Sequence, residues 1–191
     1  MIYLASTSPR RKKILKELGI VFKTVTPDYV EENTAGAAPK PASLVKRHAL
    51  AKAVSCLSKV KEGRIIGADT IVYCQKRIIG KPRHYQDALR IAGFLRDRWH
   101  TVYTGVALLT VKGHRVRKKK VFYEKTKVRL KPMTRRETEK YFKKINPLDK
   151  AGAYAIQSKR ASIIAEIKGS ISNAMGLPVE KLTGRSSLLK L

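Results

Sequence analysis

One long hairpin constrains this chain more than any other feature. Thr101 to Val111 reads as a strand, Lys112-Gly113 as a turn, and Arg115 to Leu130 as the returning strand. Its most apolar run, Gly105 to Val111, fills one strand and falls far short of the roughly 20 residues of a membrane-spanning helix. Around the hairpin, strands and helices alternate. Ile2 to Ala5 is a short strand, followed by a Ser6-Thr7-Ser8 turn and a helix that starts at Pro9 and stops at Gly19. Val21 to Val25 is a strand, Asp28 to Pro41 a loop, and Ser43 to Val60 a helix with an apolar arc through Val45, Ala49, Ala53 and Cys56. Ile65 to Tyr73 is a strand that turns at Lys76-Arg77 into Ile78-Ile79, and Tyr85 to Leu95 is helical. Thr134-x-x-Glu137 is a capping box that opens a helix ending at Asn146-Pro147. Pro147 to Gln157 is a polar loop running into a strand, Ile163 to Ile167 is another strand, and Leu177-Pro178 starts the last helix. The fold class is therefore α/β with a mixed sheet, because the hairpins are antiparallel. The 191 residues suit one domain, or two small lobes sharing that sheet.

Charge narrows the partners. The chain carries 42 Lys and Arg against 14 Asp and Glu, a formal charge of +28. Fifteen of those cations lie between Lys112 and Lys144, where the only acids are Glu124, Glu137 and Glu139. Such a field attracts polyanions. Aromatic residues are only 7%, without the clustered stacking side chains of a single-strand binder, so nucleic acid on the 112–144 face is the second reading. Cys56 and Cys74 read as buried free thiols, and the four histidines have no metal-ligand spacing, which argues against zinc. The N-terminus is apolar first and basic afterwards, the reverse of a secretory signal, and points to the cytoplasm.

Four constellations carry chemistry. Ser6-Thr7-Ser8-Pro9-Arg10-Arg11 brings hydroxyls and the free N–H groups of a helix start together after a strand, a ready anion site. Arg10, Arg11, Lys12 and Lys13 crowd the positive end of that helix, each unfavourable by roughly 0.3–1 kcal/mol unless an anion offsets it. Asp69 is a carboxylate inside an apolar strand, where it must be paired, metal-bound or aimed into a cleft. Lys52 sits at the rim of the apolar arc of its helix, and Lys81 is fixed between Gly80 and Pro82. Glu31 and Glu32 are two of few acids, the residue type that holds Mg²⁺ or Mn²⁺ beside phosphates.

The opening Leu4-Ala5-Ser6-Thr7-Ser8-Pro9-Arg10-Arg11 resembles the first motif of the Maf family, nucleoside triphosphate pyrophosphatases also called septum-formation-inhibitor-like proteins. The likeness continues in order through Val30-Glu31-Glu32, Ala51-Lys52-Ala53, Gly67-Ala68-Asp69-Thr70, Gly80-Lys81-Pro82, Asp149 to Gln157 and Met175-Gly176-Leu177-Pro178. The resemblance implies a two-lobed fold around an elongated mixed sheet, usually a homodimer, and cleavage of a triphosphate to monophosphate and pyrophosphate with a divalent cation. It implies that Asp69, Lys52 and Lys81 are catalytic, that Ser6, Ser8, Arg10, Arg11, Thr70 and Gln157 bind substrate, and that Glu32 and Asp69 hold the metal. Asp69 is either the general base or a ligand of a metal that supplies hydroxide. Arg10, Thr70 and Gln157 match the branch that takes dTTP and UTP, and an amide that both donates and accepts suits a uracil or thymine edge. The chain departs from the family pattern at Ser158, in place of the common Gly, at Ile171, in place of an aromatic, and at Arg96-Asp97, in place of Ser-Gly.

Overall fold

The computed structural model describes residues 1–30, 40–156 and 163–183. The strands form one mixed sheet of seven. β1 (Ile2–Ala5) runs parallel to both β2 (Phe22–Thr24) and β3 (Glu62–Cys74). β3 turns back into the short β4 (Arg77–Ile79) and pairs along its length, antiparallel, with β5 (Trp99–Lys112). β5 and β6 (Arg115–Leu130) are the long hairpin, and β7 (Ile164–Lys168) covers only the last residues of β6. The α/β class with a mixed sheet is as the sequence reads.

Both hairpin turns sit one residue earlier or later than expected, for a backbone reason. Gly113 and His114 take φ of 60° and 58°, the left-handed pair of a two-residue turn whose twist matches the strands it joins. Gln75 and Lys76 do the same before β4, with φ of 47° and 62°, although neither is glycine. Asp97, standing where the family pattern has Gly, also adopts a left-handed φ of 49°. Aspartate is among the few side chains that tolerate this conformation.

Helices cover both faces. α1 (Pro9–Glu17) buries Ile14 and Leu15 against Leu4, Ile66 and Val106. Two short helices join it there, α5 (Ile171–Met175) and α6 (Val179–Thr183). Further along the same face, α3 (Tyr85–Leu95) and α4 (Arg135–Phe142) pack on Val72, Val102, Val128 and Leu130. The Thr134–Glu137 capping box is formed, and α3 has the bounds its apolar period indicates. On the opposite face lies α2 (Pro41–Val54), whose Ala49 and Ala53 meet Ile65, Ala107 and Leu109. It is shorter than its apolar arc: after Val54 the chain makes a single 3₁₀ turn at Leu57–Lys59 and enters β3. A second 3₁₀ turn, Ala151–Ala153 with Gly152 at φ 77°, stands in the stretch expected to run into a strand. α5 is an unexpected element, capped by Ser170 and ended by Gly176 at φ 110°. Cys56 and Cys74 are free and buried, as read.

Candidate active site

The site forms where the sheet edge is interrupted. β1 accompanies β3 only as far as Ala5 opposite Gly67, and β4 joins it only from Val72. Between those limits Ala68 to Ile71 have β5 on one side and, on the other, a cavity of about 400 Å³. It lies beyond the carboxyl end of β1, the position at which parallel strands of α/β sheets offer ligands a crevice. Ser6, Ser8, Arg10, Arg11, Lys52, Asp69, Thr70 and Lys81 all line it. Glu32 and Gln157 lie outside the described residues.

Asp69 has only 4% of its surface exposed, and its Oδ1 accepts from Lys52 Nζ at 2.6 Å. Burial pushes the carboxyl up; His48 and Lys52, with Arg11 behind them, outweigh it and hold Asp69 well below the usual carboxylate range. The carboxylate is therefore ionised at any working pH. Sequence reasoning missed His48, whose Nδ1 stands 3.4 Å from Asp69 Oδ2. His48 and Lys52 are separated by four residues, so both leave the same side of α2. That helix reaches the strand because Gly67 and Gly105 face it: a Cβ at either would lie 2.2 Å from a carbonyl oxygen of α2.

The opening elbow divides into a scaffold and an open rim. Arg11 is almost fully buried, its guanidinium spanning three elements: Nε donates to Gly176 O at 2.9 Å, Nη2 to Thr70 Oγ1 at 3.0 Å and Nη1 to Ser6 Oγ at 3.2 Å. Ser6 Oγ also accepts from Ser8 N–H, so Ser8 stands at the helix N-cap without capping through its own hydroxyl. Thr70 continues the network through Thr104 Oγ1 at 3.0 Å, which donates to Asn173 O. These bonds tie β1, β3, β5 and α5 into one wall. Arg10 is half-buried, reaches Asp149 O at 3.5 Å, and has its pKa lowered by burial, against which Asp149 and Tyr154 act. Lys81 is exposed, with no hydrogen-bond partner among the described residues.

Tyr154 forms another wall, its hydroxyl 2.8 Å from His100 Nε2. His100 Nδ1 faces the carbonyl of Arg98 at 3.3 Å, so Nδ1 carries the proton and the tyrosine hydroxyl donates to Nε2. Burial lowers His100 to about 4 and raises Tyr154, leaving both neutral.

A hard divalent cation needs oxygen ligands, and Mg²⁺ is often bound by one or two carboxylates together with substrate phosphates. Asp69 and Asp149 are the acids lining the described cavity, and Asp69 Oδ2 has no hydrogen-bond partner among the described residues. This donor set fits a cation that arrives with a phosphate ligand. It is not a self-sufficient cage: no group of three or more acids, histidines or cysteines that could hold a metal occurs among the described residues. Among those residues, too, no helix is long and apolar enough to cross a membrane.

Comparison with known proteins places the chain among relatives. The family model described as Maf-like protein matches residues 1–186. A dTTP/UTP pyrophosphatase of Dictyoglomus thermophilum is 40% identical over 181 residues, 95% of this chain and 92% of the relative. One from Gloeobacter violaceus is 41% identical over the same shares of both chains. Among solved structures, the Staphylococcus aureus Ham1 protein aligns with a TM-score of 0.44 at 13% identity, covering 68% of this chain and 71% of that one.

Proposed function

The chain belongs to the Maf-like protein family, and we propose that it hydrolyses dTTP and UTP to the monophosphate and pyrophosphate in the cavity that Asp69 enters. The reading includes a divalent cation, a homodimer and a cytoplasmic setting. The observation that carries it is a buried, ionised carboxylate, Asp69, in a cavity that Arg10, Arg11, Lys52 and Lys81 also line, with Lys52 2.6 Å from it.

In the reaction, water attacks the α-phosphorus. A bond forms between the water oxygen and that phosphorus, the bridging bond to the β-phosphate breaks, and pyrophosphate leaves with the electron pair. The helix start after Ser8, together with Lys81, holds the triphosphate and neutralises charge growing on the leaving group. Asp69 lines the same cavity, ionised and ready either to take the proton of the attacking water or to hold the cation. Lys52 has two claimants, the carboxylate and the phosphates. While it stays on Asp69 it makes that group a weaker base, and moving to the phosphates would restore basicity where water must be activated. A divalent cation held by Asp69, Glu32 and the phosphates would supply Lewis acidity at the phosphoryl oxygens. Arg10, Thr70 and Gln157 are the residues we assign to the pyrimidine base and its sugar.

The purified protein with Mg²⁺ or Mn²⁺ should release pyrophosphate from dTTP or UTP, and Asp69→Asn should lower kcat by about 10²- to 10⁴-fold. No turnover by the unaltered protein across a panel of triphosphates defeats the reading. Nucleic acid stays the second reading, favoured by the exposed cations of β6 from Arg115 to Lys120.

A further inference from the structure

His48 has no part in the chemistry above, yet it is one of the most constrained side chains near the cavity. It is 4% exposed, and Tyr29 packs edge-on against its ring at a centroid distance of 5.8 Å. Neither of its ring nitrogens has a hydrogen-bond partner among the described residues, and neither does Asp69 Oδ2. Buried polar atoms without partners are rare and costly. Here two of the three face each other, Nδ1 to Oδ2, at 3.4 Å. That separation is only slightly longer than a hydrogen bond, and hydrogen bonds of a resting site tighten in the substrate complex.

We propose that His48 is a positioning residue for Asp69, its Nδ1–H donating to Oδ2 and fixing the plane of the carboxylate. This rests on the reading of Asp69 as the reacting carboxylate. A carboxylate held at one oxygen can still rotate about its Cβ–Cγ bond; held at both, it cannot. Lys52 supplies the first hold, on Oδ1, but a triphosphate competes for that ammonium. The histidine, carried on α2 with Tyr29 against its ring and out of reach of solvent, keeps its hold when the lysine leaves. Because His48 and Lys52 lie one turn apart on α2, a single helix sets both oxygens. Gly67 and Gly105 bring that helix close enough.

The test separates this inference from the functional reading. If the unaltered protein turns over no triphosphate, the functional reading fails, and the tautomer of His48 still decides the donor. In ¹⁵N-resolved histidine spectra, the ring whose signals vanish in His48→Asn should carry its proton on Nδ1; a proton on Nε2 alone overturns the proposal. Given turnover, His48→Leu should lower kcat about 10- to 100-fold with KM changed by about twofold or less. His48→Asn, whose amide nitrogen occupies the Nδ1 place, should recover most of that loss. Full activity in His48→Leu, or equal losses in Leu and Asn, defeats the donor role. Should His48→Leu not fold, His48→Gln replaces it. Its amide sits at the Nε2 place, so activity in Asn and not in Gln supports the proposal, and equal activity in both overturns it.

Discussion

At the scale of single residues, the site is built from polar groups that burial forces into partnership. Arg11 looks like a phosphate ligand in sequence, one of four cations at a helix start. In the fold its donors go to Gly176 O, Thr70 and Ser6, so it braces the wall and lends the cavity its charge from behind. The His100–Tyr154 pair shows the same logic with a measurable consequence. His100 is lowered from 6.5 to about 4 because its ring is buried, a cost that its hydrogen bond to the Arg98 carbonyl offsets only in part. The unfolded chain therefore binds a proton at higher pH than the folded one does. Stability contributed by the neutral ring is full above about pH 6.5 and is lost as pH falls toward 4, by about 3 kcal/mol at most. Asp69 acts in a separate, more acidic window: its lowered pKa contributes stability above the ordinary carboxylate value that is lost only as pH falls below it. Thermal midpoints measured from pH 7 to 4 should fall for the unaltered protein and fall less for His100→Gln. Parallel curves would show that His100 is not the group responsible.

At the scale of elements, the decisive contact is α2 against the sheet. A Cβ on Gly105 would stand 2.2 Å from Val45 O and 2.7 Å from Lys46 N, backbone atoms that cannot swing aside. Gly105→Ala should push α2 outward, costing about 1–3 kcal/mol, or a fall of about 2–12 °C in Tm. Lys52 and His48 travel with the helix, so turnover should drop as well. Gly93→Ala is the control: nothing lies within 4 Å of its Cβ, and inside α3 alanine should be neutral or stabilising by up to about 1 kcal/mol. Equal Tm values for the two variants would refute the close-approach account.

Legibility in the sequence follows from the same distinction between local and distant causes. α3, β6 and the Thr134–Glu137 cap were readable because the residues that decide them are neighbours in sequence. Asp69 was readable because a carboxylate misfits an apolar strand wherever that strand goes. His48 was not, since a lone histidine on an apolar helix arc looks like core until Asp69, 21 residues on in the numbering, is folded onto it. α2 stops before its apolar pattern does because the chain must re-enter the sheet as β3, a demand set by topology.

At the scale of the whole molecule, the question is what a charge of +28 does for a site this small. Among the described residues β7 pairs with β6 only at Lys127–Leu130, which leaves β6 an edge strand beyond it toward the hairpin turn. Lys112, Arg115, Arg117, Lys118, Lys119 and Lys120 are exposed there, and charges on such an edge discourage pairing with another chain. They stand off from the chemistry by different amounts: Gly105 lies opposite Asp69, Leu108 opposite Lys120 and Lys112 opposite Glu62, so they run from about 10 to about 24 Å along β5. Salt screens charges over about 8 Å at 0.15 M and about 30 Å at 0.01 M. The hairpin can therefore draw a triphosphate toward the cavity only in dilute salt. Replacing these six residues with Gln should lower kcat/KM at 0.01 M salt, leave kcat unchanged, and make no difference at 0.15 M. The same variant separates the second reading. If the edge holds nucleic acid, the unaltered protein and Asp69→Asn should bind a single-stranded oligonucleotide with the same steep salt dependence. The six-residue variant should bind weakly, with a shallower slope. A kcat/KM gap that persists at 0.15 M salt would mean that these cations reach the substrate directly, and would overturn the steering account.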